Sequence, residues 1–336
     1  MPLSHAAPRA RSAASHSPAR EQHSRCSRRL RRPRHTVPAA VAVATAAAVA
    51  LGGCVKASDR PGAAKSGKLD VVAGFYPFAF LAERIGGAHV DVRNLTKPGA
   101  EPHDLELTPS QVAAVGNADL ALYEKGLQPL VDSVIGQEQP KAALDAATVV
   151  PLENHGDLGE GDSRAADPHI WLDPVDFAKL ADAVSAKLQQ IDPARAADYR
   201  TRQAALDADL AKLDADYRAG LARCQRKDIV TSHAAFGYLA ERYGLAQVPI
   251  SGLSPEDEPT ASHLAKIQDL IKTKGVTTVF FETLASPKTA QTLAADTGTK
   301  AAVLDPIEGV QDPSKQDYLS VMRDNLAALR TALGCA

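Results

Sequence analysis

The chain of 336 residues is long enough for two ordinary domains, and its apolar fraction of 45% is that of a globular protein. Residues 1–53 are strongly basic, with nine Arg and one Glu. The rest of the chain has 29 basic and 39 acidic residues, which gives it a net charge of −10. An acidic chain of this kind lacks the basic surface that binding to nucleic acid requires.

The N-terminus has the organisation of an export signal. A basic segment at residues 27–34 precedes a run of small apolar residues at 37–51, and these 15 residues are fewer than the ~20 of a permanent transmembrane helix. The run ends in Leu-Gly-Gly-Cys54, which resembles the bacterial lipobox. We therefore predict a lipoprotein signal peptide at 1–53, acylation of Cys54 and a flexible tether at 54–68. The alternative is a disordered basic tail with an ordinary thiol.

An internal duplication organises the remainder of the chain. Residues 78–86 (FAFLAERIG) and 236–244 (FGYLAERYG) are identical at six of nine positions. Each segment follows a predicted strand, precedes a second short strand and leads to a Glu-x-Thr-x-Ser string, at 106–110 and 258–262. The shared order of elements predicts two copies of one strand–helix unit. The alternative is a chance match between common strand–helix sequences.

The fold class that follows is α/β, with two similar lobes at residues 69–192 and 223–336. Each lobe is predicted to be a parallel sheet flanked by helices, with a metal site in the cleft between the lobes. The predicted strands cover 69–73, 89–95, 118–123 and 148–151 in the first lobe, and 228–231, 246–250, 277–281 and 301–304 in the second.

One long helix is predicted to join the lobes, at residues 193–222. The segment 194–221 has no Pro and no Gly before Gly220, and its apolar residues recur at helical spacing. Its 28 residues correspond to about 42 Å of helix. A connection this stiff favours a small hinge motion over a wide closure.

Four metal-ligand candidates lie where a parallel sheet presents ligands, beyond the carboxyl ends of its strands. They are His103, His169, His233 and Asp305, two from each lobe. Three imidazoles and a carboxylate suit a tetrahedral Zn²⁺ site. Each imidazole also needs an acceptor for its second nitrogen, and the acids near the candidates are Glu101, Asp104, Asp167 and Glu282. Spacing by itself allows each histidine to be merely structural or exposed.

Four motifs make the chain from Leu69 onward similar to the ZnuA/TroA family of metal-binding proteins of ABC importers. They are PHDLELTPS at 102–110, DPHIWLDP at 167–174, SHAAFGY at 232–238 and LDPI at 304–307. The resemblance implies that the four candidates above are the ligands. It favours zinc, because manganese members tend to have Glu where this chain has His233.

The same resemblance implies a function and a location. The protein would be a monomeric, extracytoplasmic solute-binding lipoprotein, anchored to the outer face of the cell membrane. It would capture Zn²⁺ and deliver it to an ABC importer permease with its ATPase. No enzymatic activity is expected, because four protein donors leave no open position for water and no His-Glu-x-x-His string is present.

Three alternatives remain at this point: a manganese or iron carrier of the same family, a zinc hydrolase, and a carrier of another cargo such as haem. One departure from the family concerns residues 151–166, where many zinc members have a His-rich acidic loop. Here the segment is acidic but holds a single histidine, His155. A loop without a role in metal delivery is the simpler interpretation.

Two further predictions concern pairs of residues. Cys224 and Cys335 are the cysteines left after Cys54 in an exported chain, which predicts a disulfide, two free thiols being the alternative. Glu106 and Glu258 occupy matching places in the two repeats, just before a helix. They are predicted to contact the permease, because a duplicated protein can present equivalent charges to a two-fold symmetric partner. The alternative is local stabilisation of each helix N-terminus.

Overall fold

The computed structural model describes residues 67–155 and 166–336. The first lobe alternates strands and helices, and all its neighbouring strands run parallel in the order β2-β1-β3-β4. Its elements are β1 (Leu69–Ala73), α1 (Tyr76–Gly86), β2 (Val90–Asn94), α2 (Pro109–Asn117), β3 (Leu120–Tyr123), α3 (Pro129–Glu138) and β4 (Ala143–Asp145). Pro109 at the first position of α2 and a capping box between Thr108 and Gln111 explain where that helix begins.

The fourth strand was predicted wrongly, at 148–151 instead of Ala143–Asp145. The side chain of Asp145 accepts a hydrogen bond from the backbone of Ala147 and starts a 3-10 turn at Ala146–Thr148. The β-branched run that suggested a strand therefore lies in and after a turn, with Val150 buried in the core.

Two helices connect the lobes: α4 (Pro174–Ile191) and α5 (Ala196–Leu221). α5 packs along α4 and also contacts α1, because Tyr199, Leu206 and Leu210 among others form a buried stripe. The predicted connecting helix thus exists, but it is flanked by a second helix. The division of the chain at residues 192 and 222 stays a prediction, since the described residues belong to one compact unit.

The second lobe repeats the topology of the first, with the parallel strand order β6-β5-β7-β8. Its elements are β5 (Asp228–Thr231), α6 (Gly237–Tyr243), β6 (Ala246–Pro249), α7 (Ala261–Lys274), β7 (Thr278–Phe281), α8 (Lys288–Thr297), β8 (Lys300–Val303) and α9 (Tyr318–Leu333). The predicted fold of two parallel-sheet lobes is confirmed.

One apolar core serves both lobes. It contains residues of α1, α4, α5 and α9 in a single buried cluster, and each lobe has one smaller cluster of its own besides. Trp171 ties the lobes together within this core: its Nε1 donates to Pro306 O at 2.7 Å, and Tyr318 Oη donates to Trp171 O at 2.6 Å. A shared core of this kind resists large movements between the lobes.

The predicted disulfide is confirmed: Cys224, which follows α5, is bonded to Cys335, which follows α9. It closes a loop with a sequence separation of 111 residues. In the chain-entropy model a loop of this length stabilises the folded state by about 4–5 kcal/mol. Among residues 67–155 and 166–336, no helix has both the length and the apolarity needed to cross a bilayer.

Candidate metal centre

Three histidines and one glutamate converge at the carboxyl ends of the strands, where the two lobes meet. His103 lies in the segment after β2, His169 in the segment before α4, His233 directly after β5 and Glu308 after β8. Oε1 of Glu308 lies 3.3 Å from Nε2 of His103, 3.2 Å from Nε2 of His169 and 3.2 Å from Nε2 of His233. Nε2 of His233 lies 3.4 Å from Nε2 of His169.

These separations match the edges of a small tetrahedron. A tetrahedral zinc ion with bonds of 2.0–2.1 Å holds its donor atoms about 3.3–3.4 Å apart. Two neutral imidazole nitrogens that face each other at 3.4 Å repel unless a proton or a cation lies between them. The described residues therefore form a compact set of four donors directed at one point.

Burial shields the centre from solvent on most sides. The side chains of His169, His233 and Glu308 are fully buried, whereas that of His103 is 11% exposed. Access to the centre is therefore on the side of His103. Oε2 of Glu308 and Oε2 of Glu282 are buried without a hydrogen-bond donor. Such unpaired carboxylate oxygens are costly by themselves and suit the arrival of a cation.

Carboxylates hold the second nitrogen of two of the histidines. His169 Nδ1 donates to Asp167 Oδ1 at 2.7 Å, and His233 Nδ1 donates to Glu282 Oε1 at 2.9 Å. Each contact directs the lone pair of Nε2 toward the centre, which is the usual arrangement around metal-binding histidines. Asp167 and Glu282 thus lie where the sequence analysis predicted such acceptors.

Glu101 and Asp104, the other two predicted acceptors, do not hold a ring nitrogen in this way. The carboxylate of Glu101 accepts from the backbone N–H of His103 at 3.0 Å, and Asp104 is exposed. Glu101 therefore shapes the loop that carries His103. Burial raises the pKa of Glu101.

Asp305 was predicted as the fourth donor, and the structure does not bring it into the group. Its Oδ2 accepts from the hydroxyl of Thr283 at 2.6 Å, and its Oδ1 accepts from the backbone N–H of Ile307 at 2.8 Å. The second contact stabilises a tight turn in which Ile307 has a φ of 57°, a conformation that β-branched residues rarely adopt. This turn directs Glu308 into the cleft. In the sequence, Glu308 is visible only as a second acid three positions after Asp305. The turn at Ile307 decides which of the two carboxylates faces the histidines.

The electrostatics of the four side chains are coupled. Burial alone would raise the pKa of Glu308, but hydrogen bonds from the three histidines hold that pKa well below its usual range. Burial alone would lower the pKa of both histidines, yet Asp167 and Glu308 raise the pKa of His169, and Glu282 and Glu308 raise that of His233. In the metal-free protein, protons on the histidines therefore supply part of the positive charge at the centre, and a metal ion must displace these protons to bind.

The other predicted sites lie elsewhere. Glu106 and Glu258 are exposed, each two residues before the threonine that caps α2 or α7. Cys54, the predicted lipidation site, lies outside the described residues.

Residues 71–332 match the family described as ZnuA, zinc-uptake complex component A periplasmic. The chain belongs to the ZnuA family. It is 35% identical over 286 residues to the high-affinity zinc uptake system protein ZnuA of Bacillus subtilis, a match that covers 80% of this chain and 89% of that protein. It is 33% identical over 293 residues to the zinc-binding protein AdcA of Streptococcus pyogenes, covering 79% of this chain but 56% of AdcA. The chain thus spans about half the length of the AdcA relatives.

Solved structures agree with this membership. The metal-dependent lipoprotein YcdH from Bacillus subtilis has a TM-score of 0.68 and 36% identity, covering 79% of this chain and 99% of YcdH. Zn(II)-bound AdcA from Streptococcus pneumoniae has a TM-score of 0.69 and 34% identity, covering 80% of this chain and 58% of AdcA. The predicted family is confirmed, and zinc, the predicted ligand, is the metal named for these relatives. The family is described as a zinc-uptake component, and the relatives are named as zinc-uptake or zinc-binding proteins and not as enzymes, in agreement with the expectation of a non-enzyme.

Proposed function

We propose that this ZnuA family member captures Zn²⁺ outside the cytoplasm with His103, His169, His233 and Glu308 and delivers it to the permease of an ABC importer. The observation that carries the proposal is the set of 3.2–3.4 Å separations among the four donor atoms. The proposal replaces Asp305 by Glu308, because hydrogen bonds from Thr283 and Ile307 already engage both oxygens of Asp305.

The choice of metal follows from the donor types. Three imidazoles with one carboxylate suit Zn²⁺ better than Mn²⁺, which prefers oxygen donors. Glu308 neutralises one of the two positive charges of the ion, and Asp167 and Glu282 place two further negative charges behind the imidazoles. A dication is therefore compensated without an external anion.

The experiment compares Glu308→Gln with Asp305→Asn by competition with a chromophoric zinc chelator. Loss of the carboxylate at 308 is expected to weaken zinc binding at least ~100-fold, or about 2.7 kcal/mol. Asn at 305 can still accept from the backbone of Ile307, and zinc affinity is expected to change less than about tenfold. The reverse order of effects would restore Asp305 as the fourth donor.

Delivery is proposed to involve Glu106 and Glu258. Both are exposed and hold the same position relative to a helix N-terminus, one in each lobe. The test reverses both charges with Glu106→Lys and Glu258→Lys, and measures zinc titration of the isolated protein and zinc uptake by cells. Intact binding with lost uptake is expected. Unchanged uptake would contradict docking, and lost binding would indicate a role in folding.

The location proposed for the protein is the outer face of the cell membrane, through acylated Cys54, as a monomer. Support comes from the sequence around Cys54 and from relatives such as the zinc-binding lipoprotein AdcA of Streptococcus pneumoniae. Cys54→Ser should move the protein from the membrane fraction to the soluble fraction. Retention of this variant in the membrane fraction would exclude the anchor.

A further inference from the structure

The turn that carries Glu308 contains one peptide group that is held on both sides. The carbonyl of Pro306 accepts a hydrogen bond from Trp171 Nε1 at 2.7 Å, and the N–H of Ile307 in the same peptide group donates to Asp305 Oδ1 at 2.8 Å. Trp171, Pro306 and Ile307 are all buried. Two side chains therefore fix the orientation of this peptide, and one of them comes from the segment of His169.

The orientation is not the one that Ile307 prefers. Apart from glycines, the described residues with positive φ are Gln139 and Ile307; Gln139 is exposed and ends α3, whereas Ile307 is buried. Proline followed by a residue of positive φ is the order of a type II turn, in which Gly or Asn usually takes the second place. Rotation of the peptide by half a turn would change φ of Ile307 from 57° to about −120°, a value that β-branched residues adopt readily.

The start of the turn is fixed separately, by α9. Oδ1 of the buried Asn325 accepts from the N–H of Asp305 at 2.8 Å, and its Nδ2 donates to the carbonyl of Asp305 at 2.7 Å. Glu308 comes two peptide groups after this clamp, directly behind Ile307. The direction of the Glu308 carboxylate therefore depends on the peptide that Trp171 holds.

We propose that Trp171 is a positioning residue for zinc, whose indole N–H keeps Glu308 directed at the three histidines through the carbonyl of Pro306. The inference rests on the proposed role of Glu308 as a zinc ligand. Trp171 lies two residues after His169, so its side chain connects the ligand segment of one lobe to the ligand turn of the other.

The expected effect on zinc follows from the populations of the turn. Without the indole N–H, the buried carbonyl of Pro306 has lost its donor, and rotation of the peptide relieves both this loss and the unfavourable φ of Ile307. Zinc binding must then restore the productive turn. If that turn falls to ~10% of the metal-free molecules, zinc affinity falls ~10-fold.

A purely structural role of Trp171 is the alternative. Its ring packs edge-on against Phe75, with 4.8 Å between the ring centroids, and its carbonyl accepts from Tyr318 Oη at 2.6 Å. These contacts support the core whether or not zinc is bound. The experiment must therefore remove the indole N–H while it keeps the shape of the ring.

The single tryptophan of the chain makes such a replacement possible. Production in a tryptophan-auxotrophic host supplied with β-(3-benzothienyl)alanine, which has sulfur in place of the indole N–H, alters residue 171 alone. Competition with a chromophoric zinc chelator should show an affinity at least ~10-fold below that of the unaltered protein. Unchanged affinity would overturn the proposal.

Tyr318→Phe is the matched control. It removes a buried hydrogen bond to the same tryptophan but leaves the indole N–H in place. Zinc affinity should stay within ~3-fold of that of the unaltered protein. Equal losses of affinity in this variant and in the benzothienyl protein would show that Trp171 acts only through the stability of the core.

Glu308→Gln separates this inference from the proposed function. In the Glu308→Gln background the benzothienyl replacement should cost less than ~2-fold in zinc affinity, because the residue through which Trp171 acts is already altered. A further ~10-fold loss there would mean that Trp171 acts through His169 and would overturn the inference. Unaltered affinity of Glu308→Gln itself would refute the proposed ligand, whereas a weakened Glu308→Gln beside an unaffected benzothienyl protein would refute only the role of Trp171.

Ile307→Gly tests the turn directly. Glycine adopts positive φ without penalty, so the turn no longer needs to be held. The benzothienyl replacement should therefore cost less than ~3-fold in zinc affinity in the Ile307→Gly protein. A full loss in this background would show that Trp171 does not act on the orientation of the peptide. If the space left by the isoleucine prevents folding, the comparison with Glu308→Gln still decides the question.

Discussion

The two duplicated segments, 78–86 and 236–244, form helices of nearly identical sequence that serve different purposes. In the first lobe, Phe80 is buried among apolar residues of the shared core. In the second lobe, Tyr238 at the matching position bonds through its hydroxyl to the backbone of Glu153 and Asp167. The second copy therefore has a hydroxyl where its helix contacts the segment between β4 and α4, and the first copy has none.

The matching arginines diverge in the same way. Arg84 pairs with Asp209 on α5, with exposures of 36% and 43% for the two side chains. Arg242 pairs with Asp173, which is 3% exposed and caps α4 directly after the loop of His169. The second repeat therefore supports the loop that carries His169, while the first supports the connecting helix. The duplication gives both lobes the same strand–helix unit. Polar contacts of Tyr238 and Arg242 then connect the second copy to the segment that carries His169.

The largest effect is expected from removing one ligand in each lobe. His233→Ala should weaken zinc binding by about 4 kcal/mol, or roughly 1000-fold, because its imidazole is fully buried and held by Glu282. His103→Ala should weaken it about 100-fold, since that side chain is partly exposed and water can replace it. Competition with a zinc chelator measures both. Equal losses would mean that the two lobes contribute alike.

The pH dependence of zinc binding also compares the two lobes, because each lobe contributes one histidine whose pKa is raised. The folded-state pKa values of His169 and His233 lie above those of the unfolded chain. Their stabilisation of the metal-free protein is therefore complete below pH ~6.5 and is lost as pH rises through the raised values. Zinc binding needs both imidazoles without that proton and strengthens over the same interval.

Zinc affinity should consequently rise with pH by up to ~100-fold, or about 2.7 kcal/mol, per unit while both protons are displaced. Thermal unfolding at several pH values, with and without zinc, measures the result. The zinc-induced increase in Tm should grow as pH rises. An increase that is independent of pH would show that the histidines are already neutral in the metal-free protein.

The smallest effects are expected from the two arginines. Arg242→Ala should lower the free energy of unfolding by about 2 kcal/mol, because it leaves the nearly buried carboxylate of Asp173 without its charged partner. Arg84→Ala should lower it by less than about 1 kcal/mol, since the pair with Asp209 is largely exposed and screened by water. Denaturant unfolding compares the variants. A similar value for both would remove the distinction between the repeats.

Most of the fold was predictable because its signals are local. Buried strands, capped helices and a repeated nine-residue segment each show in a short stretch of sequence. Of the eight strands in the described part of the chain, seven were placed within two residues at each end. The exception, β4, is three residues long and ends at the cap formed by Asp145. The β-branched residues that follow it were mistaken for the strand, because burial alone does not distinguish a strand from a turn.

The sequence by itself determined the family, the two-lobe architecture, the disulfide and three histidines that meet in the cleft. The family and the three histidines follow from the four motifs that resemble the family, the two lobes from the internal repeat, and the disulfide from the number of cysteines. Only the tertiary structure decided that Glu308, and not Asp305, faces those histidines, and that His155 shares the carboxylate of Asp167 with His169. The physical reason is that the direction of a side chain depends on backbone dihedrals and long-range packing, such as the turn at Ile307 and the space left by Gly237.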